Sequence, residues 1–546
     1  MVAGFGSNKT ADFARRRAFP FYGEQGMVAA AHPLAVEAGL EILHRGGNAF
    51  DVAVATGLAA AVVIPEMCGL GGELFAVYSV GGQRPLAIQA SGRSARGASY
   101  ELMAEIGGDH MPYAGPHSIA VPGMVDAYFH LLERHGTMSF AEVAEPAIDL
   151  ARNGYSLQPQ GALAIAANAS LLAQDPAAAA IFLVHGTNPT PGSRIVQSDL
   201  ANTLEMLGRD GPEAFYSGDI AARMVDYLQS LGSKFEIADF AAYESDFSQP
   251  YHTTYRGQTI YQTALPSQGI MMLEALNILE HHDLAAPQSA DTIHTMVEAK
   301  KLAYADRLAY LGDGAANPID LMLSKEFARQ RASEIDATRA RDDISAGQLH
   351  LGDTTYLCAV DASGNMVSLI QSVSAAFGAG IVAGDTGVVM NNRAGRGFSL
   401  DPTHPNVYAP GKKSMHTLNA WLVSDEEDRP IMIGGTPGGD GQLQWNIQAI
   451  VGVIDAGYDV QQAIEQPRWT SWPGTDPSTI ANPFELRLED RVPLAVRDEL
   501  AARGHRVVIQ PSWGGGGAMQ IIARDPESGL LIGGSDARVE GTVLGR

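Results

Sequence analysis

Thr354 is the first residue whose surroundings suggest chemistry. It stands in Asp353-Thr354-Thr355, where a polar stretch gives way to the β-rich run TTYLCAVDASGNMVSLIQS. A threonine hydroxyl is a weak nucleophile unless a base takes its proton, and an N-terminal α-amine, with a pKa near ~8, is such a base. Cutting the chain before Thr354 would create that amine; in the uncut chain the same nitrogen is an amide. Taken alone, Thr354 is more simply a β-branched residue opening a strand. The run GGTPGGDGQ poses a similar choice. Gly438 and Gly439 could aim backbone N–H groups at a developing oxyanion with no Cβ in the way, or they could form a turn. Arg393 and Arg396, in RAGRGFS, are either a cation-rich surface turn or a local positive patch in an acidic chain.

Other motifs exclude chemistry. The glycine-rich GLGGEL and WGGGGAMQ lack both the GxxxxGK[ST] loop and a GxGxxG turn between strand and helix, which argues against phosphate binding. His281-His282 has no partner at HExxH spacing and reads as a solvated helix end. Cys68 and Cys358, the only cysteines, lie in separate apolar stretches without CxxC spacing and read as two buried free thiols. Neither a metal nor a cofactor is expected.

The elements that must hold these residues come from a chain of 546 residues, 46% hydrophobic and 18% charged, an ordinary globular composition. That length implies two or more domains or one large interlocked α/β body. The net charge of −24 makes nucleic acid or an anionic membrane a poor partner. The first residues lack a signal-peptide core and no run of about 20 apolar residues occurs, so a cytoplasmic location is expected. Residues 33–45 open with Pro33 and repeat Leu and Ile at helical spacing. DVAVATGLAAAVVIPE is small and apolar on all sides, as in a helix buried in a large core, and LFAVYSV follows as a strand.

Helices are expected at 140–153, 160–174, 198–209, 218–231, 271–282 and 290–311, then an exposed connection over 333–352. A hairpin turning at Asp361–Asn365 follows, with strands near 386–390, 418–424, 430–434, 506–509, 518–523 and 530–533 and helices at 441–456, 459–465 and 493–503. This mixture suggests layered α/β packing with a large antiparallel component.

Segments from about residue 26 to the C-terminal end together resemble the γ-glutamyltranspeptidase family. They include AAHPLAVEAGLEILHRGGNAFDVAVA, GLGGELF, VPGMVDAY, LPSQGIMMLEALNIL, EAKKLAYADR, GDTTYLCAVDASGN, FGAGIVAGDTGVVMNNR, GGTPGGDGQ and GGSDARVEG, in that order. The resemblance implies an α/β (α+β) fold, a four-layer αββα N-terminal-nucleophile hydrolase sandwich. It would be made as one precursor and cut by its own chemistry between Asp353 and Thr354. The large subunit would be 1–353, the small one 354–546, and the two would remain interleaved as a heterodimer. On this mapping Thr354 is the nucleophile, Ser372 the hydroxyl beside it, and Gly438-Gly439 the oxyanion pair. Thr355, Ser374, Arg393, Arg396, His416, Thr417 and Arg93 fall in substrate-binding stretches.

The substrate pocket departs from the family pattern. A transpeptidase holds its substrate's α-carboxylate with an Arg in a DFRETAP-like stretch and a Ser-Ser pair, and its α-amine with an Asp after an NN motif. Here the first stretch reads QASGRSARG, with Ser91 at the Arg position and Arg93 shifted by two; the serine pair is His416-Thr417; and Asn391-Asn392 precedes Arg393 rather than an acid. A cation there repels an ammonium and attracts an anionic or carbonyl-bearing group. The pattern is similar to the oxamate amidohydrolase branch, which implies hydrolysis of a small amide with an anionic or dicarbonyl acyl portion. γ-Glutamyl transfer or glutathione hydrolysis is the alternative within the family, and an unprocessed non-catalytic homologue the alternative outside it.

Overall fold

The computed structural model describes residues 17–183, 186–314, 316–341, 354–474 and 482–546. Two seven-stranded antiparallel sheets form its centre. One runs Thr542–Gly545, Gly26–Ala30, Thr355–Asp361, Met366–Ser372, Glu73–Ser79, Leu86–Ala90, Asp246–Ser248. The other runs Phe21–Gly23, Leu531–Ser535, Gln520–Arg524, Pro430–Gly435, Trp421–Ser424, Gln258–Gln262, Tyr251–Tyr255. Both sheets therefore mix strands from before and after Thr354, so the two parts of the chain share one core.

Strand alternation assigns the layers. Tyr356, Cys358 and Val360 meet Phe75, Val77 and Ile433 between the sheets. Leu357 and Ala359 point the other way, into the core that contains the helix Ala49–Val63. That helix is buried along its whole length, as its small residues on every side require, and Asn48 with Asp51 closes a capping box at its start. Helices Gly269–Leu279, Ala290–Tyr310 and Gly441–Ile454 form the opposite layer, on the second sheet. The result is the expected αββα sandwich.

The hairpin lies where expected, with Thr355 opposite Gln371 and Val360 opposite Met366. Other segments differ. The 160–174 helix is two, Pro159–Ala167 and Ala169–Leu172, separated at Asn168, whose side-chain amide donates to the Ala164 carbonyl at 2.9 Å. No regular strand forms at 386–390. Gly384 and Gly387 take φ of 62° and 69°, and this left-handed backbone makes a 3₁₀ turn with two isolated bridges, Val382 to Val389 and Gly71 to Met390. The middle of the chain also supplies Tyr251–Tyr255 and Gln258–Gln262, joined by Arg256-Gly257 at φ 51° and 84°. Positive φ at both residues is what a two-residue hairpin turn needs. Residues 333–339 are exposed or half-buried as expected; 342–353, and with them Asp353, lie outside the described residues. Cys68 and Cys358 are buried and unbridged. No helix among the described residues is long and apolar enough to cross a membrane.

Candidate active site

Thr354 precedes the central strand Thr355–Asp361 and is 1% exposed. Its Oγ1 lies 3.1 Å from Ser372 Oγ, at the end of the neighbouring strand. Ser372 Oγ also accepts the Ser374 N–H at 2.7 Å, which fixes one of its lone pairs. Ser374 itself has φ of 86°, a conformation that costs a non-glycine residue about 1–3 kcal/mol, so the surrounding packing enforces this bend. Thr355 shares the strand face of Leu357 and Ala359, turned toward the helical layer, and its hydroxyl is buried without a hydrogen-bond partner.

The loop from strand Pro430–Gly435 into helix Gly441–Ile454 carries Gly438 at φ 124° and Gly439 at φ 55°. A Cβ on Gly438 would come within 2.2 Å of the Trp445 ring, so the indole fills the space a side chain would take. Trp445 is held there by its own N–H, which donates to Thr470 Oγ1 at 3.0 Å. The Gly438 and Gly439 carbonyls are tied into the helix start by the N–H groups of Gly441 and Gln442. Neither glycine N–H is taken by a backbone carbonyl among the described residues. They stand at the positive end of a fourteen-residue helix, where negative charge is favoured.

A layer of charged groups begins on the strand beside Ser372. Glu73 sits across the strand ladder from Ser372, fully buried, and Arg393 Nε donates to its Oε2 at 2.7 Å. Asn391 and Asn392 place that arginine. The Asn391 side chain accepts from the N–H groups of Ala120 and Arg393 and donates to the carbonyls of Gly71 and Ala120; Asn392 bridges Ala375 and Tyr113. Burial pushes the Glu73 carboxyl up to about 7, against the pull of the Arg393 guanidinium, and the same burial lowers Arg393. His416 Nε2 hydrogen-bonds Ser91 Oγ and lies 3.5 Å from Glu73 Oε1; burial and the nearby cations hold its pKa well below the usual histidine range. Arg393 Nη2 is buried with no hydrogen-bond partner.

In front of this layer opens a pocket lined by Arg307, Arg393, Arg396, Thr417, Asn406 and Asp440, among others. Arg307 donates to Gln268 and, at 3.1 Å, to Asp440 Oδ1. Arg396 donates to the Ser374 carbonyl at 2.9 Å, linking the pocket to the bend after Ser372. With Glu73 and Asp440 as the carboxylates against three guanidiniums, the pocket is locally positive in an acidic protein.

Thus Thr354 and Ser372 are brought together, Arg393, Arg396 and Thr417 line one pocket, and His416 stands behind it. Arg93 does not join them: it is exposed, donates to the Gly411 carbonyl, and lines a separate pocket with Lys413 and Asp246. Glu73, Arg307 and Asp440 are the residues sequence reasoning missed. Glu73 left a signal, a carboxylate opening a strand whose remaining residues are all buried. Arg307, on a helix with charges on several faces, left none.

Comparison with known proteins gives a consistent neighbourhood. A family profile for gamma-glutamyltranspeptidase matches residues 35–546. The chain is 38% identical to the glutathione hydrolase-like YwrD proenzyme of Bacillus subtilis, over 96% of this chain and 99% of that one. It is 35% identical to the oxamate amidohydrolase proenzyme of Klebsiella pneumoniae, over 95% and 98%. The crystal structure of cephalosporin acylase from Bacillus halodurans superposes with a TM-score of 0.90 at 31% identity, covering 98% of both chains.

Proposed function

The chain belongs to the γ-glutamyltranspeptidase family of amide hydrolases and acyl transferases, and on that premise we propose that it cleaves itself before Thr354 and then hydrolyses a small amide through an acyl ester on that residue. The observation that carries this reading is the buried Thr354 hydroxyl, 3.1 Å from Ser372 Oγ and at the start of a central strand. Its similarity to chains named as proenzymes supports the cut.

The steps follow from the groups present. After cleavage the Thr354 amine takes the proton of Oγ1, and the oxygen attacks the substrate's carbonyl carbon. The N–H groups of Gly438 and Gly439 receive the oxyanion, each contributing about 3 kcal/mol. The tetrahedral adduct collapses, the C–N bond breaks, and the departing amine leaves with the proton held on the Thr354 ammonium. Water, deprotonated by the same amine, then cleaves the ester and regenerates the hydroxyl. Ser372 orients the nucleophile throughout.

The positive pocket supports an acyl portion bearing a carboxylate or a second carbonyl, as in oxamate. Arg393 would bind it through the buried Nη2, and Arg396 and Thr417 from the rim. Thr354→Ala tests the core of this reading: the variant is expected to run on a denaturing gel as one uncut 57.7 kDa chain without amidase activity. Cleavage at the same bond in that variant would remove Thr354 from the processing chemistry. Screening the processed wild type with oxamate, glutathione and γ-glutamyl anilides tests the acyl preference; faster turnover of the γ-glutamyl compounds would favour the glutathione hydrolase alternative.

A further inference from the structure

On the far side of the second sheet, the helix Ala290–Tyr310 carries His294 and Glu298 one turn apart. His505, in the turn after helix Leu494–Ala502, meets them. All three are buried, and one ligand atom from each lies within 4.8 Å of the others. None of them lines the pocket in front of Arg393, and an ion held by them runs against the expectation from sequence that no metal is bound.

The tautomer of His294 is determined by its partners. Its Nε2 lies 2.8 Å from the Asp336 carbonyl, which only accepts, so Nε2 carries the proton and Nδ1 presents a lone pair. That lone pair faces His505 Nε2 at 2.8 Å. A histidine whose second nitrogen donates to a backbone carbonyl is the arrangement that orients metal-bound imidazoles.

We propose that His294 Nδ1, His505 Nε2 and a Glu298 carboxylate oxygen form a site for a divalent transition-metal ion such as Zn²⁺ or Co²⁺. Ligands about 2 Å from one tetrahedral ion sit roughly 3.3 Å apart, so the histidine pair opens slightly and the carboxylate closes. His505 moves its proton from Nε2 to Nδ1, with no change in its charge. Lys301, now 2.7 Å from Glu298 Oε1, is the competitor; it yields the carboxylate but keeps the Arg341 carbonyl at 2.8 Å. The partners around the site, Asp336 and Arg341, belong to the segment that runs toward Thr354.

Titration of the metal-free, processed protein with Co²⁺, followed by visible absorption, tests the assignment without reference to activity. One Co²⁺ per chain with micromolar affinity is expected, abolished in His505→Ala and in the milder His505→Gln. Lys301→Met is expected to bind about ten-fold or more tightly, because the competing ammonium is gone. Absence of stoichiometric binding by the wild type would overturn the proposal. So would binding as tight as the wild type's in both His505 variants, or a Lys301→Met protein that melts like the wild type yet binds no more tightly.

Discussion

The surroundings of Thr354 and the charged pocket linked to them through Arg396 are built from different materials. Around Thr354 the groups are small and neutral: two hydroxyls 3.1 Å apart, a strained Ser374, and a glycine pair against Trp445. The second is a buried electrostatic layer, Arg393 on Glu73 with His416 and Ser91 beside it, fronted by Arg307, Arg396 and Asp440. On the proposed reading the first side would do what any amide hydrolysis requires, and it tolerates little change because each group is placed by backbone geometry. On the proposed reading the second would recognise the acyl group, and its members could be exchanged if their charges and hydrogen bonds were exchanged together. His416 and Ser91 illustrate this. Both differ from the family pattern, 325 positions apart in sequence, and they hydrogen-bond each other.

The sharpest way to break the comparison is to damage the neutral side. Gly438→Ala forces a side chain into Trp445 at a φ that L residues avoid, and is expected to lower kcat by about 10²–10³-fold on every amide tested. A loss confined to anionic substrates would refute the division. Ser372→Ala is expected to lower kcat by about 10–10²-fold with KM nearly unchanged, since it removes a group that touches the nucleophile and not the acyl portion. On the charged side, Arg393→Lys keeps the charge but loses the fork. Its KM for a carboxylate-bearing amide is expected to rise about ten-fold, with little change for a neutral amide.

Glu73 adds a pH dependence. Its folded pKa, raised to about 7, lies above the ordinary carboxylate value, so it is protonated below neutrality and leaves Arg393 uncompensated. KM for an anionic substrate is therefore expected to fall as pH drops through about 7, and Glu73→Gln to flatten that profile. The linked stability has the same sign: Glu73's contribution is fully present below the unfolded pKa and is lost as pH rises through about 7. The smallest effect belongs to Arg93→Ala. Exposed and in a separate pocket, Arg93 is expected to leave KM within about two-fold; a larger rise would extend the substrate site to that pocket.

Much of this was legible in the sequence because it is local. The hairpin Thr355–Ser372 follows from period-two alternation and its turn, and the buried helix Ala49–Val63 from small residues on all sides. Gly438 and Gly439 stood out because glycine alone suits such a turn and a close backbone approach. The local types also marked a poor nucleophile before a strand, and the family resemblance marked cations where an acid was expected. Only the tertiary structure decided which cation meets which acid. Sequence pattern cannot see that strand pairing puts Glu73 across from Ser372, that the Asn391 amide aims Arg393 at Glu73, or that Arg307 reaches Asp440 from another helix. Those pairings join residues more than a hundred positions apart, and burial rather than residue type sets their charges.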